Sequence, residues 1–175
     1  GRRYAKPLDL SKAQALGFTS PHVHLPQSAS QADVLAAIRS MNDAADVDAV
    51  LLQHPTPPQI DFDAALLELD PDKDVDGLHP VNMGRLALGM PGPVPCTPAG
   101  IEALLAHYEI PVSGREVCIL GRGTTLGRPL ALLLTQKRPT ANAAVVLHLL
   151  VGEVITGDCD LEVKVWYEIF DTTDF

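Results

Sequence analysis

The sequence predicts an α/β protein with a parallel sheet and two lobes: an N-terminal α/β lobe and a second lobe that contains part of a larger sheet. Short apolar runs of strand length alternate along the chain with segments whose apolar residues recur at helical spacing. Turns rich in proline and glycine separate these segments. With 175 residues, 46% of them hydrophobic, the chain is long enough to bury two small cores.

The first lobe is predicted to contain two helices and one buried strand. Ser30 is the predicted N-cap of the first helix, because apolar residues follow it at helical spacing. These residues are Val34, Ile38 and Met41. The run VLLQ at the end of residues 46–53 is typical of a buried parallel strand, and the HPTPP sequence cannot extend it because proline has no N–H donor. Residues 61–69 are predicted to form the second helix.

The proline- and glycine-rich stretch at residues 89–95 is the predicted boundary between the lobes. We therefore expect the first lobe at residues 1–92 and the second at residues 93–150. Residues 151–175 form an acidic tail of unknown role, in which only residues 163–169 have an apolar, strand-like character.

The second lobe is predicted to begin with a helix that Thr97 caps and Pro98 opens. The apolar stripe of this helix is Ile101, Leu104, Leu105 and Tyr108. A strand at residues 117–120 then leads through a glycine-rich turn to another helix. The residues of that helix predicted to face inward are Leu126, Leu130, Leu133 and Leu134. Residues 143–148 are predicted to form a second strand, parallel to the first.

Composition and charge exclude several classes of function. The formal net charge of −9 disfavours nucleic acid and anionic membranes as partners. No apolar run approaches the roughly 20 residues of a membrane span. No charged-then-apolar leader follows Gly1, so a cytoplasmic location is expected. An odd number of widely spaced cysteines argues against a disulfide framework and favours reduced thiols at Cys96, Cys118 and Cys159.

Two patterns resemble metal sites but lack essential ligands. From Asp72 the sequence DKDVDG resembles the start of a calcium-binding EF-hand loop, yet the twelfth loop position is Met83, where a bidentate Glu is required. His22 and His24 alternate along the chain without a third ligand nearby. We therefore expect no metal.

The glycine-rich turn is a candidate phosphate site. Gly121, Gly123 and Gly127 lie between a predicted strand and a predicted helix, where glycine lets the backbone approach a pyrophosphate closely. The GxGxxxG spacing alone is equally consistent with a tight turn that binds no ligand. No acid able to bind ribose hydroxyls follows the turn before residue 153, and Arg122 suits a 2′-phosphate. The residues therefore favour NADP over NAD.

Gln53 ends the predicted buried strand of the first lobe, where a polar side chain is destabilising unless it is hydrogen-bonded. Its amide either lines a ligand crevice at the carboxyl end of the strand or bonds to the neighbouring loop. The residues alone leave both alternatives open.

Four blocks in a specific order point to a known family: QHPTP from Gln53, DKDVDG from Asp72, PCTP from Pro95 and GRG from Gly121. Together they resemble the bifunctional methylenetetrahydrofolate dehydrogenase/methenyltetrahydrofolate cyclohydrolase family, with a dense match over residues 50–134. The resemblance implies that the second lobe is a partial Rossmann-like nucleotide-binding lobe with a parallel sheet.

The resemblance also implies a function. It implies NADP-dependent oxidation of 5,10-methylenetetrahydrofolate and hydrolysis of the methenyl product to 10-formyltetrahydrofolate, in the cytoplasmic one-carbon metabolism that serves purine biosynthesis. It further implies a multifunctional enzyme that is a homodimer.

The site residues that the resemblance implies are distributed over both lobes. Gln53 would position a catalytic lysine and tune its proton affinity. Asp76 would contact the pterin ring, because a carboxylate can accept hydrogen bonds from the ring's amino and N–H groups. The residues that would contact NADP are Gly121, Arg122 and Gly123, with Gly127 completing the turn.

The family's Tyr-x-x-x-Lys element is altered in this chain. The resemblance implies that Tyr4 stacks on the folate aminobenzoyl ring, but the residue four positions later is Leu8. Lys6 is only two positions later and precedes Pro7, which disfavours helical geometry at Lys6. Counting back from Leu16-Gly17-Phe18, which resembles a family block, puts the lysine position at Asp9 instead. Lys6 and Lys12 are the possible substitutes for the catalytic lysine, and Lys6 is the candidate, since Lys12 is more consistent with a solvated surface lysine. The family's Pro-Gly-Gly-Val-Gly-Pro closing loop is absent from the sequence.

Three hypotheses follow. In the first, the chain is a folate enzyme of this family, or derives from one. In the second, it is a non-catalytic, truncated remnant that binds nucleotide weakly or pairs with another subunit. In the third, it is a different NADP-dependent oxidoreductase that shares only the nucleotide lobe, and the QHPTP and DKDVDG blocks argue against this.

Overall fold

The computed structural model describes residues 15–20 and 22–148, together with the backbone of residues 161–164. The helices within these ranges are α1 (Gln31–Asp43), α2 (Phe62–Glu68), α3 (Pro80–Leu88), α4 (Cys96–His107) and α5 (Gly127–Leu134). The strands are β1 (Glu116–Leu120), β2 (Ala144–His148) and β3 (Leu161–Lys164). Among the described residues, no helix is both long and apolar enough to cross a membrane.

The strands form a parallel sheet in the order β2-β1-β3, which confirms the predicted parallel sheet. In its register, Val117 of the central strand pairs with Val145 on one side and Leu161 on the other. Strand β3 lies in the acidic tail and overlaps residues 163–169, for which the sequence indicated strand-like character. Because β3 pairs with β1, the sheet extends past residue 150.

The core of the second lobe lies between the sheet and α5. The four leucines predicted to face inward are all buried: Leu126, Leu130, Leu133 and Leu134. Two of them pack with Val117 and Ile119 of β1 in one hydrophobic cluster. The helical spacing of the leucines therefore identified the buried face of α5 correctly, because each buried leucine lowers the free energy of folding by about 1.5–3 kcal/mol.

Helix α4 differs from its prediction in both its start and its buried face. It begins at Cys96 after Pro95, one residue before the predicted Thr97 cap, and the N-cap position makes no side-chain hydrogen bond. Leu104 and Tyr108 of the predicted stripe are 57% and 69% exposed. The buried residues of this helix are Pro98 and Glu102, and Glu102 is 8% exposed. Ile101 and Leu105 of the predicted stripe are half-buried and pack against the core of the second lobe.

Hydrogen bonds to two residues outside α4 explain why Glu102 is buried. The two carboxylate oxygens of Glu102 accept hydrogen bonds from Arg138 Nη2 at 2.7 Å and from Thr140 Oγ1 at 2.6 Å. A buried carboxylate is stable only when it is paired in this way. The loop after α5 supplies both donors, so the apolar pattern of α4 alone could not identify its buried face.

The first lobe is built on α1 and α2, and both predicted helices are confirmed. Ser30 caps α1 in a capping box, in which its hydroxyl accepts from Asp33 N and the Asp33 carboxylate accepts from Ser30 N. Asp61 caps α2 by accepting from Ala64 N at 3.0 Å. Buried residues of both helices and of the chain around Val50 form one cluster.

The buried strand predicted at residues 46–53 is not formed. Only Val50 pairs, in an isolated parallel bridge to Asp74, through Val50 N to Lys73 O at 2.7 Å and Val75 N to Val50 O at 3.3 Å. Leu51 is 53% exposed. A strand needs a neighbour that continues the ladder, and within the described residues the partner segment turns away immediately after Val75.

Candidate active site

The carboxylate of Asp76 is carried by a tight turn from Asp74 to Gly77. Gly77 N donates to Asp74 O at 3.3 Å, which closes the turn. Gly77 has φ +64°, and a Cβ at this position would lie 2.7 Å from the Val94 carbonyl carbon and 2.8 Å from Pro95 N. Glycine is therefore required at position 77 for two reasons: its backbone conformation, and the close approach of the turn to residues 94 and 95.

This close approach places Asp76 beside the first residue of α4. The Cys96 thiol donates to Val75 O at 3.4 Å and lies within hydrogen-bonding reach of the Asp76 side chain. Burial raises the pKa of the Cys96 thiol, and the carboxylates of Asp76 and Asp74 raise that pKa further. The thiol therefore stays protonated at neutral pH, with its one hydrogen donated to Val75 O beside the Asp76 side chain. The sequence analysis did not single out Cys96, although the PCTP block contains it.

Replacing Asp76 by Asn is expected to make Cys96 more reactive. Removing the negative charge lowers the pKa of the thiol toward its ordinary value, so a larger fraction is thiolate at any pH below that pKa. Alkylation of Cys96 by iodoacetamide at pH 7.5 should become several-fold faster, as measured by peptide mass mapping. Buried Cys118 provides the unreactive internal reference. The matched charge control is Asp72→Asn, and an equal acceleration in that variant would contradict the assigned neighbour.

The Gln53 side chain is exposed and bonded locally. Its Nε2 donates to His54 O at 2.8 Å, which is the neighbouring-loop alternative that the sequence left open. The His54–Pro55 peptide is cis, and the His54 ring packs edge-on against Phe62 with ring centroids 4.8 Å apart. The parallel bridge between Val50 and Asp74 joins the segment that leads to Gln53 and the segment that leads to Asp76.

Lys73 lies three positions before Asp76 but is engaged elsewhere. Its ammonium group donates to three carbonyl oxygens at the end of α1, at distances of 2.7–3.0 Å. These oxygens belong to Met41, Asn42 and Ala44. A lysine has three N–H donors, so Lys73 has none left for a substrate. The two remaining predicted site residues, Tyr4 and Lys6, lie outside the described residues.

The glycine-rich turn connects β1 to α5 and is tied to the neighbouring strand. Gly121 has φ +121°, and its N–H donates to His148 O at the end of β2 at 2.9 Å. A Cβ on Gly127 would overlap the Gly121 carbonyl oxygen and lie 2.7 Å from its carbonyl carbon. The first and last glycines of the turn are therefore required for its closure.

The middle of the turn is open. Among the described residues beyond its chain neighbours, no atom lies within 4 Å of the position that a Gly123 Cβ would take, and Arg122 and Gly123 are exposed. The N-cap residue of α5, Leu126, provides no side-chain hydrogen bond to the first N–H groups of the helix. An exposed turn with an arginine beside such a helix start can hold a phosphate group, because the helix dipole favours negative charge there.

The acidic run before Asp76 is engaged with protein groups. Asp72 accepts from Arg85 Nη1 at 3.0 Å, and Asp74 accepts from His79 N at 2.8 Å. Across the described part of the chain, no group of three or more His, Cys, Asp or Glu side chains is arranged to hold a metal ion.

An open groove of about 570 Å³ lies between α5 and β2. Its lining residues are Arg128, Ala131, Leu132, Thr135, Val145 and Leu147. Arg128 directly follows Gly127 of the predicted phosphate turn, whereas the other five are not among the residues predicted to contact folate or nucleotide.

Comparison with known families matches both parts of the chain. The model of the tetrahydrofolate dehydrogenase/cyclohydrolase catalytic domain matches residues 4–76, and that of the NAD(P)-binding domain of the same family matches residues 95–159.

Curated relatives agree with these matches. The bifunctional protein FolD 1 of Salinispora tropica is 67% identical over 138 residues, which are 78% of this chain and 45% of the relative. The FolD protein of Syntrophotalea carbinolica is 60% identical over 134 residues, 76% of this chain and 46% of the relative. The chain thus spans about half the length of the curated relatives it matches.

Solved structures of the same family have this fold. The bifunctional FolD enzyme from Campylobacter jejuni superposes with a TM-score of 0.82 at 33% identity, over 89% of this chain and 55% of that one. The FolD enzyme of Trypanosoma brucei, complexed with NADP and an inhibitor, superposes with a TM-score of 0.73 at 33% identity, over 79% of this chain and 46% of that one. From both family models and these relatives, the chain belongs to the tetrahydrofolate dehydrogenase/cyclohydrolase family.

Proposed function

We propose that this chain oxidises 5,10-methylenetetrahydrofolate with NADP, and that it derives from an enzyme that also hydrolyses the methenyl product to 10-formyltetrahydrofolate. One observation supports this proposal most directly. The turn that carries Asp76 sits against the backbone of residues 94–96, so the segment matched by the catalytic-domain model meets the start of the segment matched by the NAD(P)-binding model. A folate held by Asp76 would therefore lie between the two lobes.

The proposed roles follow the chemistry of each group. Asp76 accepts hydrogen bonds from the pterin amino and N–H groups, with the Cys96 thiol beside its carboxylate. Gln53 donates to the folate once its amide leaves His54 O. In this proposal Tyr4 stacks on the aminobenzoyl ring and Lys6 is the candidate proton-transfer group.

The turn between β1 and α5 is the proposed nucleotide site. Gly121 and Gly127 shape it, Gly123 leaves space for a pyrophosphate, and Arg122 pairs with a 2′-phosphate. When bound, NADP accepts a hydride from the methylene carbon, while the chain orients the two reactants. Similarity to the T. brucei enzyme, whose structure contains NADP, supports this choice of cofactor.

The remaining parts of the proposal concern organisation. We propose residues 1–92 as the folate-binding lobe and residues 93–150 as the nucleotide lobe. Residues 151–175 are a separate segment, which contains strand β3. A cytoplasmic homodimer that serves one-carbon metabolism and purine biosynthesis completes the proposal.

A second candidate is a non-catalytic remnant that binds nucleotide weakly or pairs with another subunit. Two contacts favour it: the Gln53 amide is bonded to His54 O, and Lys73 is bonded to three carbonyls of α1. In this state neither side chain is available to a folate.

Turnover separates the two candidates. NADP-dependent formation of methenyltetrahydrofolate, followed by absorbance, is expected with the 175-residue chain. Asp76→Ala should lower kcat/KM by about 10- to 100-fold, the effect of losing a hydrogen bond to a charged group. The exposed acid in the same block provides the matched control, so Asp72→Ala should change kcat/KM less than about twofold. A folded chain with no turnover would favour the remnant.

A further inference from the structure

We propose that Asp74 is a positioning residue for folate binding, because it holds the turn that presents Asp76. This inference rests on the proposed function of Asp76. Asp74 itself is 1% exposed, so it contacts the protein rather than a ligand.

Asp74 anchors the turn through both its backbone and its side chain. Its carbonyl oxygen accepts from Gly77 N at 3.3 Å, so Asp74 is the first residue of the four-residue turn and Asp76 is the third. Its backbone also forms the bridge to Val50 in the body of the first lobe. The direction of the Asp76 side chain therefore depends on how Asp74 is held.

The carboxylate of Asp74 joins the turn to α3. One oxygen, Oδ2, accepts from His79 N at 2.8 Å and from Asn82 Nδ2 at 2.9 Å. Asn82 is fully buried, and its Nδ2 also donates to Pro71 O at 2.7 Å. The Asn82 amide thus joins α3 to the acidic segment at two points, Pro71 and Asp74.

A chain of hydrogen bonds that ends at the surface supports the buried contact between Asp74 and Asn82. Asn82 Oδ1 accepts from Arg85 Nη1 at 2.9 Å, and Arg85 Nη1 also donates to Asp72 Oδ1 at 3.0 Å. The buried negative charge of Asp74 is thereby connected through Asn82 to a cation. Buried carboxylates need hydrogen-bond partners of this kind, and here both partners belong to the start and the first turns of α3.

Asp74→Ala tests the role by comparing two ligands. The dissociation constant for tetrahydrofolate should rise about tenfold, which corresponds to about 1.4 kcal/mol, because the Asp76 turn loses its side-chain anchor. The dissociation constant for NADP should change less than about twofold, since the proposed nucleotide turn lies in the other lobe. Calorimetric titration of each ligand measures both constants.

The conservative variant separates positioning from a requirement for charge. Both hydrogen bonds end on Asp74 Oδ2, so the amide oxygen of Asp74→Asn can accept them both, and tetrahydrofolate affinity should return to within about twofold of the wild-type value. If Asp74→Ala does not fold, Asn82→Ala removes one of the same bonds and should also weaken tetrahydrofolate binding selectively. Asp48→Asn, at an exposed acid outside this network, is the matched charge control and should bind as the wild type does.

Three results would overturn the inference. Tetrahydrofolate affinity that is unchanged in Asp74→Ala and Asn82→Ala would mean that Asp74 serves stability alone. Equal losses for tetrahydrofolate and NADP would indicate general unfolding instead of positioning. A wild-type chain that binds NADP but no tetrahydrofolate would refute the proposed function itself. Asp74 would then have no folate contact to position.

Discussion

Replacing Gly127 by Ala is expected to prevent closure of the turn between β1 and α5. The added methyl group would overlap the Gly121 carbonyl oxygen and lie 2.7 Å from its carbonyl carbon, so backbone must move. Gly121 N also donates to His148 O, and this movement would therefore disturb the end of β2. We expect a loss of about 3 kcal/mol in unfolding free energy and a Tm lower by roughly 5–10 °C, as measured by thermal unfolding.

A second glycine in the same turn provides the control. In the part of the chain that the structure describes, no atom outside the neighbouring residues lies within 4 Å of a Gly123 Cβ, so Gly123→Ala should change the unfolding free energy by no more than about 0.5 kcal/mol. Its methyl group would fill the space proposed for the pyrophosphate, so NADP affinity should fall while stability remains. Equal stability losses in Gly123→Ala and Gly127→Ala would show that the turn is not closed as described.

Dehydrogenase activity is expected to survive in this chain with cyclohydrolase activity largely lost. Hydride transfer depends on orienting folate and NADP, whereas opening of the methenyl ring needs a group that transfers protons. Leu8 stands where the family's lysine is expected, and Lys73 is bonded to three carbonyls. Hydrolysis of supplied methenyltetrahydrofolate should be at least about 100-fold slower than its formation, the smallest contribution usual for general acid–base catalysis.

The two activities are measured separately on the same preparation, by the appearance and the decay of methenyltetrahydrofolate absorbance. Lys6→Ala removes the candidate substitute lysine, and Lys12→Ala is its matched control. Cyclohydrolase activity at full strength would contradict the expected separation. If Lys6→Ala then abolished that activity and Lys12→Ala did not, Lys6 would be assigned as the catalytic lysine.

Local sequence patterns predicted the elements whose stability is decided locally. The predicted cap at Ser30 depends on a side chain within three residues, and α1 begins as predicted. Helix α2 lies within the predicted residues 61–69, and Asp61 is its cap. The inward leucines of α5 follow from helical periodicity alone, because that helix packs one apolar face on the sheet. The parallel sheet follows from the alternation of strands and helices.

The predictions that were wrong concern contacts between distant segments. The strand expected up to Gln53 has no continuing partner among the described residues, so only the Val50 bridge forms. Helix α4 buries Glu102 rather than Leu104, because donors from the loop after α5 meet the carboxylate. Neither partner could be identified from the residues next to it.

The sequence by itself determined the family, the order of its blocks and the local starts of its helices, because these depend on residue identity and short-range spacing. Only the tertiary structure decided that Cys96 neighbours Asp76, that Asp74 is held by Asn82 and that Lys73 is engaged with α1. Each of these contacts joins segments at least eight residues apart. Their formation depends on how the backbone closes at Gly77 against residues 94 and 95, a three-dimensional fit that no linear periodicity encodes.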